Sequence, residues 1–521
     1  MSKIALIILD GFGISRIEEG NAVLLAKTPY LDEIISSYPK ALLNASGQEV
    51  GLSWGEIGNS EVGHTNIGLG RIVLQDLPQI DKSIKDGSIA NKPSVLEIKK
   101  LISNNSTNLH LMCIFSDGAV HGHINHIIEF IEIFTKSAGE NKIYLHLFAD
   151  GRDSPEKSIE KFIKVISPYV KGNVIIGSLS GRYFAMDRDK NWDRIKLAYD
   201  AILGKSDNKY ESINEAVKDL YHRKETDEFI TPCTLTNYNV DISKDVFLFL
   251  NYRSDRAIQL TRAFVDKKFE EFDREGEATN FFTMTTYDDN ISAKVLFSNL
   301  DLNNPETNSL KNPLAKIISQ NGLTQFHVAE TEKFAHITYF FAGGEKKPFD
   351  KQENKLIESA KVKSHDMYPQ MKAAEISKEI VSASKKNYDF ICANYANGDM
   401  VGHSGNLEAC INSIEFLDKH LGTTIKQLVA VGYSIFLTAD HGNCDEMIDF
   451  RTKKINKEHT LNPVPFFYIS PNNAGNYSSK SMFFQSDPIG ILSDIAPTII
   501  GEFGINAPDE ISGIDLSGSL T

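Results

Sequence analysis

Short apolar runs rich in β-branched residues recur along the chain, and each run ends in a polar loop. Within the runs, apolar residues follow one another without regular alternation, which is typical of strands buried on both faces of a parallel sheet. The runs lie within residues 3–11, 109–123, 142–153, 173–183, 245–256, 388–403 and 433–443. This pattern predicts a core of parallel strands.

Amphipathic segments lie between these runs and predict helices. One covers residues 124–139 and a second covers residues 154–172. The second begins with Ser154-Pro155, a common pair at a helix start, and reaches Gly172, a residue type that often follows a helix end. Because strands alternate with helices, we predict an α/β fold.

The length of the chain predicts more than one domain, since 521 residues exceed the usual size of about 150 residues per domain several-fold. Two segments are candidate connections between domains. Residues 300–313 are rich in Asn and Pro, and residues 75–88 are polar. We expect a domain boundary in one or both of these segments.

Composition and charge exclude several classes of partner. Apolar residues make up 41% and charged residues 24% of the chain, as in ordinary globular proteins. The net charge of −14 argues against binding to nucleic acid or to an anionic membrane, because both require a basic surface. A local group of arginines can still bind a small anion.

Cysteine usage and hydropathy indicate the compartment. The five cysteines are dispersed and include no CxxC pair, which fits a reducing cytoplasm better than a disulfide framework. The apolar run near the N-terminus is too short for a signal peptide, and no stretch approaches the ~18 apolar residues of a membrane span. We therefore expect a soluble cytoplasmic protein.

Clusters of Asp, His and Arg follow nearly every apolar run. In open α/β sheets, the carboxyl ends of the strands are the edge at which ligands bind. Loops also collect Asp, Asn and Gly for conformational reasons, so one such cluster has little meaning by itself. Their recurrence after run upon run favours a ligand site.

Some of these clusters contain the residue types that bind metal ions. Asp399 and His403 are four residues apart and can share one face of a helical turn. Such a pair alone is more often a hydrogen-bonded pair than a metal site, but an Asp-His dipeptide that ends a buried strand needs a partner. Mixed carboxylate and imidazole ligands favour Mn²⁺ or Zn²⁺ over Ca²⁺. The candidates are Asp10, Asp399, His403, Asp440, His441 and His459.

Ser60 lies in the Gly-, Ser- and Asn-rich segment 55–71 and has two interpretations. It can cap a helix whose backbone N–H groups face a phosphate, or it can be a nucleophile activated by a metal ion. Without the metal-type residues, the plain helix cap is the better interpretation. We interpret His64, one helical turn later, as structural.

Arginines follow several apolar runs in the central third of the chain. Surface salt bridges are the ordinary role of each, but arginines bind carboxylate and phosphate through paired N–H groups, so a shared pocket for a small polyanion is favoured. His121 and Asp153 are candidate proton donors or bases. We interpret His123 as a neighbour of His121 without a role in the chemistry. The arginines are Arg152, Arg182, Arg188, Arg253 and Arg256.

The motifs GNSEVGH, DGRD, SGRYFAMDRD, ETEKFAHITYFF, NGDMVGH and TADHGN occur in this order between Asp10 and about Val464. Together they resemble the cofactor-independent phosphoglycerate mutases of the alkaline phosphatase superfamily. The resemblance implies two α/β domains: an alkaline-phosphatase-like metal domain and an α/β phosphotransferase domain inserted into it. It places the metal domain at residues 1–74 and 310–521 and the inserted, substrate-binding domain at residues 75–309.

The resemblance also implies a reaction and the residues that perform it. The reaction is the interconversion of 3-phosphoglycerate and 2-phosphoglycerate in glycolysis and gluconeogenesis, with two Mn²⁺ ions and without 2,3-bisphosphoglycerate. One ion would be held by Asp399, His403 and His459, and the other by Asp10, Ser60, Asp440 and His441. Ser60 would be the phosphorylated nucleophile, while Asp153 and Lys333 would assist catalysis. The implied substrate-binding set is His121, Arg152, Asp153, Arg182, Arg188, Arg253, Arg256 and Lys333.

Two departures from the family pattern and three rival functions qualify this interpretation. Ile258 stands where a basic residue is expected, and Cys444-Asp445 stands where Ala-Glu is more common. A phosphopentomutase or a phosphomonoesterase would share the metal core, but the arginine-rich inserted region argues against both. A non-catalytic protein that binds a metal or a phosphometabolite is disfavoured because every implied ligand is present. We expect a monomer with phosphoglycerate as its small-molecule partner.

Overall fold

The computed structural model describes residues 2–104, 106–235, 238–297 and 310–520. The chain divides into two units. Unit 1 comprises Met1–Gln75 and Asn303–Thr521, and unit 2 comprises Asp76–Leu302. Most of the predicted Asn- and Pro-rich connection, residues 300–309, lies outside the described residues.

The strands of the described residues follow in chain order. They are β1 (Lys3–Leu9), β2 (Lys40–Asn44), β3 (Leu109–Phe115), β4 (Ile143–Ala149), β5 (Val174–Gly181), β6 (Cys233–Thr234), β7 (Val246–Phe249), β8 (Asn280–Thr285), β9 (Lys294–Phe297), β10 (Gln325–Glu330), β11 (Gln352–Ile357), β12 (Phe390–Tyr395), β13 (Tyr433–Thr438), β14 (Val464–Ile469) and β15 (Gly490–Ile491).

The helices of the same residues are given in the same way. They are α1 (Ala22–Leu25), α2 (Pro29–Ser37), α3 (Ser60–Leu69), α4 (Asp76–Lys85), α5 (Pro93–Ile102), α6 (Ile124–Ala138), α7 (Ile159–Ile166), α8 (Arg182–Ala185), α9 (Trp192–Ile202), α10 (Ile213–His222), α11 (Ile258–Val265), α12 (Leu314–Gln320), α13 (Ala373–Lys385), α14 (Asn397–Gly402), α15 (Leu407–Ala430), α16 (Lys480–Phe484) and α17 (Ile495–Glu502).

Unit 1 contains a sheet with the strand order β11-β10-β12-β1-β13-β14-β2-β15. Strands β11, β10, β12, β1 and β13 run parallel, whereas β14 is antiparallel to both of its neighbours. Leu9 pairs with Tyr395, and Ile8 pairs with Thr438. The carboxyl ends of β12, β1 and β13 therefore lie side by side at one edge.

Unit 2 contains its own sheet, with the strand order β6-β5-β4-β3-β7-β8-β9. Its strands are parallel except for β6. Alternate residues of β3 enter different apolar clusters: Leu111 and Cys113 belong to one, and Met112 and Ile114 to the other. Both faces of this sheet are therefore covered, as the unbroken apolar runs predict.

The predicted fold is confirmed: each apolar run contains a strand, and the two sheets are of the α/β type. The predicted start of the second helix is wrong. Helix α7 begins at Ile159 because the Asp227 carboxylate, distant in sequence, accepts hydrogen bonds from the backbone N–H groups of Ser158 and Ile159. The helix ends at Ile166, two residues before Pro168, well short of Gly172.

The second candidate connection, residues 75–88, is largely helical. Helix α4 occupies Asp76–Lys85, directly after the boundary between the two units at Gln75. Its apolar residue Ile80 is fully buried in the core of unit 2. Polar composition alone did not separate this half-buried helix from a loop.

Across the part of the chain that the structure describes, no helix is both long enough and apolar enough to cross a lipid bilayer.

Candidate active site

Four neighbouring strands of unit 1 deliver polar side chains to one edge of the sheet. Asp10 follows β1, Asp440 lies two residues beyond β13, and Asp399 lies in α14 just after β12. Lys333 follows β10 in a short 3₁₀ turn. All four side chains are buried, with Asp10 and Asp440 completely so. Parallel strand ends thus bring three carboxylates and one ammonium group together.

Ser60 is the first residue of α3, and its hydroxyl faces this group. The Ser60 Oγ atom lies 3.2 Å from Asp10 Oδ1 and 2.9 Å from His441 Nε2. The side chain of Asn59, not that of Ser60, caps the helix by accepting a hydrogen bond from the Val62 N–H. The plain-cap interpretation of Ser60 is therefore wrong, and its hydroxyl is available for chemistry.

Asp399, His403 and His459 form one compact group with the geometry of a metal site. The Nε2 atoms of His403 and His459 lie 3.2 and 3.1 Å from Asp399 Oδ1 and 3.0 Å from each other. The Nδ1 atoms of the same histidines donate to the carbonyls of Lys457 and Gly58. In their neutral form, both imidazoles therefore present Nε2 lone pairs to one point, which suits a bound cation.

Asp10, Asp440, His441 and Ser60 form an adjoining group. His441 Nε2 lies 3.5 Å from both Asp10 Oδ1 and Asp440 Oδ2. Asp440 Oδ1 accepts from the N–H groups of Gly11 and His441. Its buried Oδ2 lies 3.2 Å from His64 Nδ1, whose N–H group is directed mainly at the Ser60 carbonyl, and it accepts no well-formed hydrogen bond among the described residues. A buried carboxylate oxygen with so weak a donor is costly unless a cation binds it. This donor set also fits a divalent metal ion.

Lys333 connects the two groups. Its Nζ atom lies 2.6 Å from Asp10 Oδ1, 2.6 Å from Asp399 Oδ2 and 2.7 Å from Ser60 Oγ. Burial alone would lower the pKa of this ammonium group, but the surrounding carboxylates, Asp10 first, raise it well above its ordinary value. Lys333 therefore stays protonated beside the Ser60 hydroxyl.

The pKa values of the carboxyl groups in the site shift in different directions because their neighbours differ. Burial raises the pKa of Asp10, and the adjacent Asp440 raises it further. Burial acts in the same direction on Asp399, but Lys333 and the two histidines outweigh it and hold the pKa of Asp399 well below its usual range. The pKa of Asp440 is lowered in the same way, chiefly by His441 against the effect of burial.

Several residues of this site escaped the sequence analysis. Asn443 Nδ2 donates to Asp399 Oδ1 at 3.2 Å, and it lies within the TADHGN motif itself. Asp445 Oδ2 accepts from Thr460 Oγ1 and Asn462 Nδ2, and so ties the loop of His459 to the strand end that carries His441. The position of Asp445 was noticed only as a departure from the family pattern. Its partners lie in a distant loop, so the sequence carries no signal for them.

In unit 2, the candidate substrate residues follow adjacent strands of the second sheet. Arg182 donates to Asp150 Oδ1 at 2.6 Å and to Asp153 Oδ2 at 2.5 Å. Asp150 also accepts from Ser116 Oγ at 2.6 Å. Asp150 therefore joins the loops after β3, β4 and β5. It is the first residue of the DGRD motif, but the sequence analysis gave it no role.

A second carboxylate, Asp255, lies close to three further members of this set. Arg188 Nη1 lies 2.8 Å from Asp255 Oδ2, and Arg253 Nε lies 3.2 Å from Asp255 Oδ1. His121 Nδ1 lies 3.7 Å from Asp255 Oδ1 and makes no hydrogen bond among the described residues. Burial, assisted by the positive charge of Arg182, lowers the pKa of His121 to about 4, so its ring is neutral at physiological pH.

Arg256 and Arg152 complete the set. Burial lowers the pKa of Arg256, and the positive charges of Arg188, Arg182 and Arg152 act in the same direction. The guanidinium of Arg152 is largely exposed and lies 3.6 Å from Glu228. The arginines named from the sequence thus share one surface of unit 2, where their mutual repulsion favours a bound anion. Ile258, where a basic residue was expected, instead packs against the apolar core.

Similar proteins are known for nearly the whole length of the chain. A family profile described as the Metalloenzyme superfamily matches residues 2–507. The 2,3-bisphosphoglycerate-independent phosphoglycerate mutase of Clostridium novyi (strain NT) is 43% identical over 522 residues, which cover 98% of this chain and 99% of that protein. A mutase of the same description from Methanosarcina acetivorans is 42% identical over 521 residues, covering 98% of both chains.

A solved structure agrees with this relationship. The crystal structure of Leishmania mexicana phosphoglycerate mutase at low cobalt concentration matches with a TM-score of 0.61 and 28% identity, and the match covers 98% of this chain and 97% of that one. Fold, identity and coverage point in one direction. The chain belongs to the Metalloenzyme superfamily and to the 2,3-bisphosphoglycerate-independent phosphoglycerate mutases, and it is an enzyme.

Proposed function

We propose that this enzyme interconverts 3-phosphoglycerate and 2-phosphoglycerate through a phosphoserine at Ser60, with two Mn²⁺ ions as cofactors. One observation carries the proposal: Ser60 Oγ is in contact with Asp10, His441 and the Lys333 ammonium group at once. An ordinary helix-capping serine has no need of two metal-type ligands and a buried cation. The names of the relatives supply the substrate.

The residues of unit 1 would perform phosphoryl transfer. Two divalent ions held by the Asp399 and Asp440 groups would neutralise phosphoryl charge and favour ionisation of the Ser60 hydroxyl. Ser60 Oγ forms a bond to phosphorus while the bond from phosphorus to the substrate oxygen breaks. Lys333, which is held protonated between carboxylates, is placed to donate a proton to that leaving oxygen.

The residues of unit 2 would bind the organic part of the substrate. Glycerate carries a carboxylate, which matches the paired N–H groups of Arg182, Arg188 and their neighbours. Glycerate must remain bound after it loses its phosphoryl group, because reattachment at the other oxygen requires it to turn without escaping. An arginine cluster with charge in excess of its own carboxylates favours retention of the anion.

Asp153 is proposed as the base for the return step. It would remove the proton from the second hydroxyl of glycerate, whose oxygen then attacks phospho-Ser60 and releases Ser60 Oγ. The side chain of Asp153 is only partly buried and lies beside Arg182 and His121. His121, neutral and with a free Nδ1 among the described residues, can hold the same hydroxyl group.

Mn²⁺ is the proposed metal because the donor set mixes imidazole nitrogens with carboxylate oxygens and lacks thiolates. All five cysteines are buried and free, which supports a reducing compartment such as the cytoplasm.

An enolase-coupled assay tests the proposal. Protein reconstituted with Mn²⁺ should convert 3-phosphoglycerate without added 2,3-bisphosphoglycerate, and chelation should abolish the activity. Ser60→Ala should be inactive yet folded, because no other hydroxyl contacts these ligands among the described residues. Release of inorganic phosphate instead of 2-phosphoglycerate would identify a phosphatase and overturn the proposal.

The covalent intermediate has its own readout. Rapid quenching of the wild-type enzyme with substrate, followed by peptide mass analysis, should locate a phosphoryl group on the Ser60 peptide. A phosphoryl group on histidine would contradict the phosphoserine mechanism, even if the enzyme has mutase activity.

A further inference from the structure

Asn394 is a polar residue near the carboxyl end of β12, a strand whose other residues are apolar or aromatic. It lies in β12, pairs with Ile8 of β1 and is completely buried. A buried amide destabilises a core unless its hydrogen bonds are made. An apolar residue would serve packing better at this position, so the contacts of the amide are the feature to explain.

The amide nitrogen of Asn394 faces two acceptors. Its Nδ2 atom lies 2.7 Å from Asp10 Oδ2 and 3.0 Å from His64 Nε2. Its Oδ1 atom has no partner among the described residues. The reversed amide would place a carbonyl oxygen against the Asp10 carboxylate, so chemistry decides the orientation. One N–H group therefore goes to Asp10 and the other to His64.

The contacts at its two ring nitrogens determine which nitrogen of His64 carries hydrogen. Since His64 Nε2 accepts from Asn394, its Nδ1 atom is the donor. His64 Nδ1 lies 2.9 Å from the Ser60 carbonyl and 3.2 Å from Asp440 Oδ2. His64 therefore presents an N–H group to the backbone of the nucleophile and to a carboxylate of the site. With both nitrogens engaged, it is not itself a ligand.

We propose that Asn394 is a positioning residue for the metal-binding group of Asp10, Ser60, Asp440 and His441. It orients Asp10 directly, and it orients Asp440 and the start of α3 through His64. Held in this way, Asp10 turns its other oxygen, Oδ1, towards Ser60 Oγ. The inference rests on the proposed metal-dependent function but is tested separately from turnover.

The test is the affinity of the purified protein for Mn²⁺ in the absence of substrate, measured by calorimetry and by electron paramagnetic resonance. Asn394→Leu keeps the branched shape of the side chain and removes both N–H groups. We expect it to weaken one Mn²⁺ site about 10- to 100-fold, as loss of a ligand-orienting hydrogen bond does elsewhere. The site of Asp399, His403 and His459 should change less than about threefold.

A matched variant separates this role from the loss of a buried amide. Asn21 is also completely buried, and its Nδ2 atom donates to the carbonyls of Ser15 and Ile17 in the same unit. Asn21→Leu should reduce the melting temperature but leave both Mn²⁺ affinities unchanged. Equal losses of affinity in Asn21→Leu and Asn394→Leu, or no loss in either, would overturn the proposal.

Two further measurements keep the inference testable if Asn394→Leu folds poorly. Asn394→Ser retains one donor, so its Mn²⁺ affinity should lie between those of the wild type and Asn394→Leu. In protein labelled with ¹⁵N-histidine, His64 should be the Nδ1–H tautomer in the wild type, and its Nε2 resonance should shift in Asn394→Leu because that nitrogen loses its hydrogen-bond donor. An unchanged Nε2 resonance would contradict the contact between Asn394 and His64. Absence of mutase activity in the wild type would overturn only the proposed function.

Discussion

At the scale of single residues, the chemistry of the site depends on which nitrogen of each histidine carries hydrogen. Backbone carbonyls accept from the Nδ1 atoms of His403 and His459, whereas an amide donates to the Nε2 atom of His64. When neutral, the first two histidines thus present lone pairs to the site, whereas the third presents an N–H group. The same side chain therefore has two different roles in this site, because its hydrogen-bond partners differ.

Substitution of Arg256 tests the proposal that unit 2 binds the substrate while unit 1 binds the metal ions. Arg256→Ala should reduce kcat/KM by about 30- to 1000-fold, since a charge-assisted contact to an anion is worth ~2–4 kcal/mol. Its affinity for Mn²⁺ should not change, because all proposed metal ligands belong to unit 1. Steady-state kinetics and a metal titration of the same preparation measure both quantities.

Arg262→Ala is the control for Arg256→Ala. Arg262 belongs to the same unit and pairs with Asp288 at 3.2 Å, apart from the arginine set. It should leave kcat/KM within about twofold of the wild type, as an exposed salt bridge contributes little. If Arg256→Ala lost Mn²⁺ as well, the assignment of substrate binding to unit 2 would be wrong.

At the scale of elements, the position of α3 against β13 requires a glycine. A Cβ atom at Gly63 would lie 2.6 Å from the Asp440 carbonyl oxygen and 2.9 Å from Asp440 Cβ. The helix that carries Ser60 thus approaches the strand end that carries Asp440 more closely than any side chain allows. Gly63 of the GNSEVGH motif is therefore required for steric reasons.

Gly63→Ala should therefore displace Ser60 from its neighbours. We expect a loss of about 1–3 kcal/mol in the free energy of unfolding, which is typical of overpacking, together with a fall in kcat. Denaturant titration and the enolase-coupled assay would measure these effects. Thr65→Ala, on the same helix but only half-buried, should leave both nearly unchanged. A fully active Gly63→Ala would show that α3 can shift without cost.

Glu330 links the end of β10 to the segment before α13. Its buried carboxylate accepts from the Lys372 N–H at 2.8 Å and from Ser359 Oγ at 3.1 Å. Burial raises the pKa of Glu330 from 4.5 to about 7. Between these values the folded protein holds a proton that the unfolded chain releases, so stability falls as pH rises and the full loss is reached above about pH 7.

Glu330→Gln should remove this pH dependence, because the amide mimics the protonated carboxyl group. Above pH 7 the variant should be more stable than the wild type by about 2–4 kcal/mol, and the difference should vanish towards pH 4.5. Denaturant titrations from pH 5 to pH 8.5 at constant Mn²⁺ would measure it. Glu375→Gln removes a partly exposed carboxylate near Lys372 and serves as the control. A parallel pH dependence in wild type and Glu330→Gln would refute this account.

At the scale of the whole molecule, protons and metal ions compete for one set of side chains. A hydrogen bond to Asp399 raises the pKa of His403. Burial opposes the same effect at His459, but Asp399 prevails and the pKa of His459 is also raised. In the metal-free protein the pKa values of these histidines lie above the ordinary value of 6.5, so a metal ion that binds must displace their protons. Affinity for Mn²⁺ therefore falls as pH falls through the raised values.

Activity should accordingly show an acid limb that depends on Mn²⁺. Two histidines at one site imply a loss of affinity of up to about 100-fold per pH unit, so each tenfold rise in Mn²⁺ should move the limb about half a unit lower. A series of pH–rate profiles at several free Mn²⁺ concentrations, with folding verified at each pH, provides the measurement. An acid limb that does not move with Mn²⁺ would contradict this account. Its position would then be determined by titration of the substrate or of Asp153, or by unfolding.

The sequence predicted the fold class and the strands because burial on both faces of a parallel sheet leaves an unbroken apolar run. It also predicted the pairing of Asp399 with His403, since residues four apart on a helical turn necessarily adjoin. It failed at α7, where the capping carboxylate of Asp227 is distant in sequence, and the residues by themselves left two interpretations of Ser60 open, whereas the structure shows that Asn59 is the cap. Local patterns do not reveal partners that only folding brings near.

By itself, the sequence determined the α/β class, the family and the residue types of the candidate site, because these depend on periodicity and on ordered motifs. Tertiary structure decided the rest. It placed Lys333 between Asp10 and Asp399, gave Asp150 and Asp255 their arginines, and brought Asn394 of β12 into contact with His64 of α3. The physical reason is that charge state, tautomer and orientation depend on neighbours a few ångströms away, whichever part of the chain supplies them.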